Sequence, residues 1–359
     1  MAFGKKNQLV GVDIGSHAIK VVEIDQTKKG RFLKNFGLIG LPRNAIREGD
    51  IVEQEAVAQA LKTLFRNLKI RNQNVAVALS GYPVMAKRIT LPAAKREEIE
   101  ATIHAQAEQY IPFDINDVNL DFDILEKAAT FAEDEEAEKE ESLDVMLVAA
   151  KKDVINAYVN LLAAADLNPG VLDVDVFALQ NAAELSITGE GEGYAIVNVG
   201  AEELGINTVV NGTSLFSRDS SFGGAQITDL IMSHFDVDFE EAEQIKLGAV
   251  QDKAWDNRLE TGVAGIVADW AQEIKRALDF VETTYPDRTI GKIYLCGGSC
   301  RMKGFQKYLE GHTGLPVTEL NPFSSLIPSP DLFDEAYLNY MAPQASVAMG
   351  LALRSIDDK

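Results

Sequence analysis

Three short stretches of this 359-residue chain set a polar residue and a glycine turn at the end of an apolar run. The first, residues 10–20, reads V-G-V-D-I-G-S-H-A-I-K, and a second apolar run, 21–24, follows directly. That pattern predicts a β-hairpin turning at Gly15, whose backbone N–H groups form a nest for an anion. A phosphate suits such a nest, with Asp13 facing a hydrated metal and Lys20 a phosphate oxygen. A bare carboxylate in an apolar strand is costly to bury, and a metal-linked water shell relieves that cost for Asp13. The second stretch, residues 195–202 (A-I-V-N-V-G-A-E), repeats the theme with Asn198 and Gly200. The third, residues 293–299 (I-Y-L-C-G-G-S), runs a strand into Gly297 and Gly298. A flat base or a ribose can approach such a backbone closely.

The elements that must position these residues read as follows. Strands are expected at 8–15, 18–26, 31–40 and 74–80. A helix is expected at 51–69, because Ile51, Val57, Leu61, Leu64, Phe65 and Leu68 recur near a 3.6-residue period. Gly81-Tyr82-Pro83 breaks the run. Residues 87–165 read as an inserted α+β unit: a strand at 85–91, a helix at 92–110, strands at 118–125 and 143–150, and a closing helix at 151–165. Ile111-Pro112-Phe113 stops its first helix, since the residue before proline avoids the helical region. Between its paired strands lies the acidic block 133–141 (E-D-E-E-A-E-K-E-E), expected to be a disordered and dispensable hairpin tip. A polar, glycine-rich crossover at 189–193 leads to strands at 194–200, 204–210 and 213–218, helices at 236–247 and 263–284, and a strand at 293–296. Residues 321–330, with three prolines, read as a surface loop. The echo of 8–24 at 194–210 implies two related lobes around a cleft. The expected division is 1–86 with 166–188 and 342–359 as the first lobe, 87–165 as the insert and 189–341 as the second lobe.

Composition narrows the function classes. The chain is 46% apolar and 25% charged, with a net charge of −21. That balance disfavours nucleic acid, whose binding relies on Lys and Arg neutralising phosphates, and disfavours adsorption to an anionic membrane. No apolar run approaches the roughly 20 residues of a membrane span. Residues 1–6 lead straight into a strand, so no signal peptide is expected. Cys296 and Cys300, the two cysteines, read as small core residues. The four histidines, His17, His104, His234 and His312, form no ligand spacing. A cytoplasmic location is the expectation. There is no P-loop, dinucleotide fingerprint, nucleophile elbow or zinc-protease motif.

The three glycine-turn elements, in this order, resemble the actin-like ATPase superfamily, which includes actin, the heat-shock and sugar-kinase ATPases and the division protein FtsA. Residues 177–182 (F-A-L-Q-N-A) and 345–353 (A-S-V-A-M-G-L-A-L) resemble its two connecting helices. Within it, nearly the whole chain resembles the PilM family of cytoplasmic, FtsA-related proteins of type IV pilus assembly. Residues 3–23, 109–115 (Q-Y-I-P-F-D-I) and 175–182 (D-V-F-A-L-Q-N-A) carry that resemblance.

The resemblance implies an actin-like, ribonuclease-H-like two-lobed α/β fold that binds ATP and Mg²⁺ in its cleft. Asp13 would hold Mg²⁺ through water, and Gly15, Ser16 and His17 would wrap the β- and γ-phosphates beside Lys20. Gly200 and Ala201 would supply N–H groups from the other side. Asn198 stands where the superfamily usually has Asp; it keeps an acceptor oxygen and loses the charge that helps hold a metal-bound water. Gln180 falls where actin has its water-orienting glutamine. Glu243 and Lys246 match the adenosine-contacting helix, and Gly297, Gly298 and Ser299 the adenosine-side turn. At most a slow or partner-stimulated ATPase is implied. The implied partners are the cytoplasmic N-terminal tail of the inner-membrane protein PilN and the cytoplasmic motor of pilus assembly and twitching motility, with recruitment to the inner face of the inner membrane. The apolar corner Tyr110, Ile111 and Phe113 is the expected place for the tail, beside a module sheet able to flank an extended peptide. Two rivals stand: a sugar- or acetate-kinase-like phosphotransferase, which needs a carboxylate base beside its acceptor, and an FtsA-like polymer-forming division protein. FtsA ends in an amphipathic membrane helix, whereas residues 352–359 here read A-L-R-S-I-D-D-K.

Overall fold

The computed structural model describes residues 8–127, 142–187, 193–250, 255–327, 329 and 332–357. The acidic block 133–141, residues 3–7 of the N-terminal motif, residues 189–192 of the crossover and part of the 321–330 loop lie outside the described residues.

Strand β1 (Val10–Ile14) is covered on both faces and forms an antiparallel meander with β2 (Ala18–Thr27) and β3 (Gly30–Gly40). A short hairpin, β4 (Ile46–Arg47) and β5 (Asp50–Ile51), precedes α1 (Gln54–Asn67) and β6 (Asn74–Leu79). Helix α1 buries Val57, Leu61, Leu64 and Phe65, the stripe its sequence carries. The insert follows as β7 (Val84–Pro92), α2 (Arg96–Ala107), β8 (Val118–Lys127) and β9 (Ser142–Lys151). Its antiparallel sheet has the order β7-β9-β8, and α2 packs Ile99, Ile103 and Ala107 on it. The chain returns through α3 (Lys152–Ala164), β10 (Asn168–Val174) and α4 (Asp175–Ser186).

A second meander, β11 (Gly193–Val199), β12 (Leu204–Val210) and β13 (Thr213–Ser220), opens the second lobe. Then come α5 (Gly224–Phe235), α6 (Phe239–Lys246), α7 (Asn257–Thr284), β14 (Ile290–Cys296), α8 (Phe305–Thr313) and β15 (Val317–Glu319). Helices α9 (Glu335–Met341) and α10 (Ser346–Ala352) bring the chain back to the first sheet.

The two main sheets share one plan. Their orders are β10-β6-β1-β2-β3 and β13-β12-β11-β14-β15. In each, an antiparallel meander is extended from its first strand by two parallel strands. The sequence echo is therefore an echo of whole sheets.

Several elements differ from expectation, each for a local reason. Helix α7 begins six residues early, at Asn257, because the Asp256 carboxylate accepts from the N–H groups of Arg258 and Leu259 and Leu259 starts the buried row. Helix α6 begins at Phe239, because Asp236 takes the left-handed conformation that ends α5 and Asp238 then caps α6. Helix α2 is shorter at both ends, since Pro92 closes β7. Helix α3 packs Val154, Tyr158, Leu161 and Leu162 into the first lobe's core with Val10, Val12 and Val75, a cluster that also takes in Ala150 of β9 and Val84 of β7.

Helices α4 and α10 lie between the two sheets and touch each other closely. A Cβ on Gly350 would sit 1.7 Å from the Ala178 carbonyl oxygen, so this contact admits only glycine. Cys296 and Cys300 are buried and free, as expected. Among the described residues, no helix is long and apolar enough to cross a membrane.

Candidate functional site

The turns of the two meanders face a single cavity of about 1370 Å³. In the first turn the Gly15 N–H donates to the Ala18 carbonyl at 3.2 Å; in the second the Gly200 N–H donates to the Glu203 carbonyl at 2.8 Å. Cross-strand register matches as well, pairing Asp13 with Lys20 and Asn198 with Gly205. The turns are thus structural equivalents, with Asn198 in the place of Asp13. The difference is electrostatic. Asp13 holds the Lys20 ammonium at 3.1 Å, with both side chains mostly buried, whereas Gly205 offers Asn198 no such partner.

The structure brings the residues expected around a nucleotide to this cavity. Asp13, Gly15, Ser16, His17 and Lys20 line it from the first hairpin, and Asn198, Gly200 and Ala201 from the second. Glu243 and Lys246 enter from α6, and Gly297, Gly298 and Ser299 from the turn after β14. That last turn is pinned to the second hairpin. The Ser299 N–H donates to the Val199 carbonyl at 2.9 Å, and its hydroxyl donates to the Gly200 carbonyl at 2.9 Å. Gly297 has a φ of +88°, and a Cβ there would meet the Val199 oxygen at 2.4 Å. Glu243 and Lys246 are not free surface charges: Lys246 Nζ reaches Glu243 at 2.5 Å and Thr228 Oγ1 at 2.8 Å, and Thr228 also bonds Glu243.

Gln180 does not line the cavity. Its side-chain amide donates to Glu184 and to the Gly212 carbonyl, each at 2.8 Å. Helix α4 instead meets the cavity with its first residue, Asp175, which the sequence reading passed over. Glu203 and Asp219 line the same cavity and were passed over too. The oxygens Asp175 Oδ1, Glu203 Oε1 and Asp219 Oδ1 are shut off from solvent and have no hydrogen-bond partner among the described residues. Burial pushes the Asp175 carboxyl well above its ordinary range, and the neighbouring Asp219 and Glu203 charges push it further. Glu203 is raised by burial and by Asp219, and Asp219 by burial. One signal for Asp175 was available, an acid in the first turn of a helix, where the macrodipole favours negative charge. For Glu203 and Asp219 no local signal exists. Glu203 occupies the turn position of Ala18, and Asp219 arrives opposite Gly205 only through the β12–β13 register.

At the expected partner corner Tyr110 and Phe113 are half-buried, and both pack against the apolar cluster that holds Ile111. Ile111 is buried in the insert's apolar cluster, and Tyr110 packs beside it with the Lys87 ammonium 5.6 Å from its ring centroid. Phe113 lines the outer edge of the cavity with Pro112. It meets Tyr82 edge-on at 5.7 Å, and Lys151 Nζ lies 5.0 Å from both rings. Tyr82, 73% exposed, was not anticipated.

Chemically, the site offers two N–H-lined turns, two ion-paired carboxylates, Asp13 and Glu243, and three carboxyls that burial raises above their ordinary range. Among the described residues, no group of three or more acids, histidines or cysteines is placed to hold a bare metal ion.

The comparisons with known proteins agree with this architecture. The family model for type IV pilus assembly protein PilM matches residues 11–356. The solved PilM-PilN type IV pilus biogenesis complex contains a chain 27% identical to this one, with a TM-score of 0.85, over 98% of this chain and 99% of that one. The ethanolamine utilization protein EutJ from Carboxydothermus hydrogenoformans gives a TM-score of 0.57 at 17% identity, over 98% of this chain and 91% of that one. MreB 5 of Spiroplasma citri, solved bound to AMPPNP, gives 0.53 at 10% identity, over 97% and 95%. At such identities these last two share the fold, which is actin-like. A family match spanning both hairpins, the insert and the final helix leaves one assignment: this chain belongs to the PilM family of type IV pilus assembly proteins.

Proposed function

We propose that this chain is an ATP-binding scaffold of pilus assembly. In this reading it takes ATP with Mg²⁺ in its cleft and the cytoplasmic N-terminal tail of PilN at the edge of its insert, and so joins the inner-membrane partner to the cytoplasmic motor. The observation that carries it is the single cavity enclosed by two equivalent glycine hairpins and closed by the turn of Gly297, Gly298 and Ser299. The Asp13 carboxylate and the Asn198 side-chain oxygen line the cavity and fit a hydrated cation, whose waters can donate to them. When bound, Mg²⁺ neutralises charge on the phosphates. The backbone N–H groups of Gly15, Ser16, His17, Gly200 and Ala201 bind phosphate oxygens. Asp13 orients the water shell, and Glu243 and Lys246 hold the sugar side through their Thr228 network.

Hydrolysis is slow in this reading. Asn198 brings no charge to the second hairpin, Gln180 is held away by Glu184 and Gly212, and the buried carboxyls are poor bases while protonated. The chain works in the cytoplasm and reaches the inner membrane through PilN. The 27%-identical chain was solved in a PilM-PilN complex, which supports the partner. Family membership weighs against the kinase and division-protein readings.

The test is capture by an immobilised PilN tail peptide. Wild-type chain is retained and Phe113→Asp is lost, because Phe113 presents its ring at the cavity edge. Normal capture of a folded Phe113→Asp would place the tail elsewhere.

A further inference from the structure

The chain carries 55 acids against 34 lysines and arginines, yet one end of the first lobe is basic. Strand register defines that end. Strand β2 runs for 10 residues away from the cleft turn of Ser16 and His17, so its far end lies about 30 Å from the cleft. Lys28 and Lys29 form the exposed turn there, and Arg31 follows in β3. The pairing of Gly11 with Val22 brings Gln8 level with Asp25, and the Asn72 side-chain amide donates to the Gln8 carbonyl at 2.8 Å. The exposed Lys69 and Arg71, just ahead of β6, therefore come to the same end. None of these five cations is in an ion pair among the described residues, and none lines the cleft. Acids lie here too. Glu23 is taken by Lys34 at 2.6 Å and Asp166 by Lys62 at 2.8 Å. Asp25 stands on β2, and Asp357 follows Ser355, which pairs with Gln8. Asp334 and Glu335 lie to the side, where Tyr337 of α9 meets Phe36. The tip itself, residues 28–31, carries no acid. Among the exposed large apolar residues, only Ile356 lies at this end.

We propose that this end, with Lys28, Lys29, Arg31, Lys69 and Arg71, is a docking surface for an anionic lipid bilayer, which it meets while the partner tail holds the chain. The proposal goes beyond the functional reading above and draws on it only for the nearness of a membrane. With one exposed large apolar side chain among its described residues, the end suits lipid headgroups better than a peptide with apolar anchors. The net charge of −21 does not forbid the contact, because at physiological ionic strength a charge is felt over about 8 Å. The bilayer therefore senses the cations that face it. Other orientations bring the acid-rich remainder of the surface to it, so the contact also orients the chain. The basic end lies across the lobe from the cleft edge at Phe113, and an extended tail spans a separation of that order in about ten residues.

The experiment is co-sedimentation of the full chain with vesicles of phosphatidylglycerol and phosphatidylcholine in equal parts, against vesicles of phosphatidylcholine alone. At low salt the anionic vesicles retain at least about ten-fold more wild-type chain. In about 1 M salt, where the screening length falls to about 3 Å, the difference disappears. Lys28→Glu with Lys29→Glu cuts retention at least about five-fold, the factor that one cation near an anionic surface contributes. Both side chains are exposed in a turn, so the fold is kept. A charge-matched control, Arg258→Glu with Lys307→Glu on the exposed surface of the second lobe, is retained as wild type is. Equal retention on both vesicle types overturns the proposal, and so does a loss of the same size in the control. Binding to polyglutamate in place of the anionic vesicles also overturns it, and makes the end a docking site for an acidic protein segment. Capture by the PilN tail peptide is measured on the same proteins and is unchanged by the substitutions. Failure of that capture in wild type would sink the functional reading and leave the vesicle result standing.

Discussion

Asp175, at the first position of α4, has its carboxyl buried beside those of Glu203 and Asp219. In the folded chain it keeps its proton to a higher pH than in the unfolded chain. Its favourable contribution is complete below the ordinary carboxylate range and is lost as pH rises through the raised folded value. Asp175→Asn removes that loss. Thermal melts should show the variant close to wild type near pH 4 and increasingly more stable than wild type toward pH 8; a difference that shrinks with pH would contradict the assigned burial. Asn198 poses the converse question, since a charge is missing there. Asn198→Asp should leave ATP turnover unchanged or raise it, measured by phosphate release, with the wild type below about 1 s⁻¹. Faster wild-type turnover would favour the phosphotransferase rival. The hairpin residues were legible in the sequence because a glycine turn after an apolar strand is a local signal. The three buried acids were not, because they meet only through the Gly205–Asp219 register and the approach of the two lobes. Gln180 was misjudged for a similar reason: a helix position alone does not say which face meets the cleft.

Among the elements, strands and amphipathic helices with a strong period were readable, and α1 and the three strands of each meander fall close to expectation. Helices α5, α8 and α9 and the short strand β15 were not anticipated. Helix α5 starts at a glycine pair, which reads as a loop, and α8 begins and ends at glycines, leaving a short run between breakers. Packing also decides the allegiance of α3, which reads as the insert's closing helix in sequence but joins the first lobe's core in space. Two stability predictions belong at this scale. Gly350→Ala drives a methyl group into the Ala178 carbonyl and should cost about 1–3 kcal/mol or more in denaturant unfolding, since both groups are fixed by helices. Ile111→Asp buries a carboxylate in the insert's apolar cluster and should cost more than about 2 kcal/mol. Phe113→Asp, at the cavity edge, should cost much less. Equal losses in the two variants would mean that Phe113 is as much a core residue as Ile111.

At the scale of the whole molecule, two sheets of one order face each other across α4 and α10, and the cavity lies where their equivalent hairpin turns meet. The net charge of −21 repels free polyphosphate, so the proposed nucleotide would need backbone N–H groups and a cation to hold it. Asp13 is then the most informative residue to change, because the proposed function makes it the acid that orients the cation's water shell. The most direct measurement is calorimetric titration of ATP with Mg²⁺ into wild type, Asp13→Ala and Gln180→Ala. The wild type and Gln180→Ala should bind alike, since Gln180 is turned toward Glu184 and Gly212. Asp13→Ala should bind at least about ten-fold more weakly, a loss of about 1.4 kcal/mol, and should lose its dependence on Mg²⁺. Wild-type affinity and Mg²⁺ dependence in Asp13→Ala would contradict the assignment of the cleft.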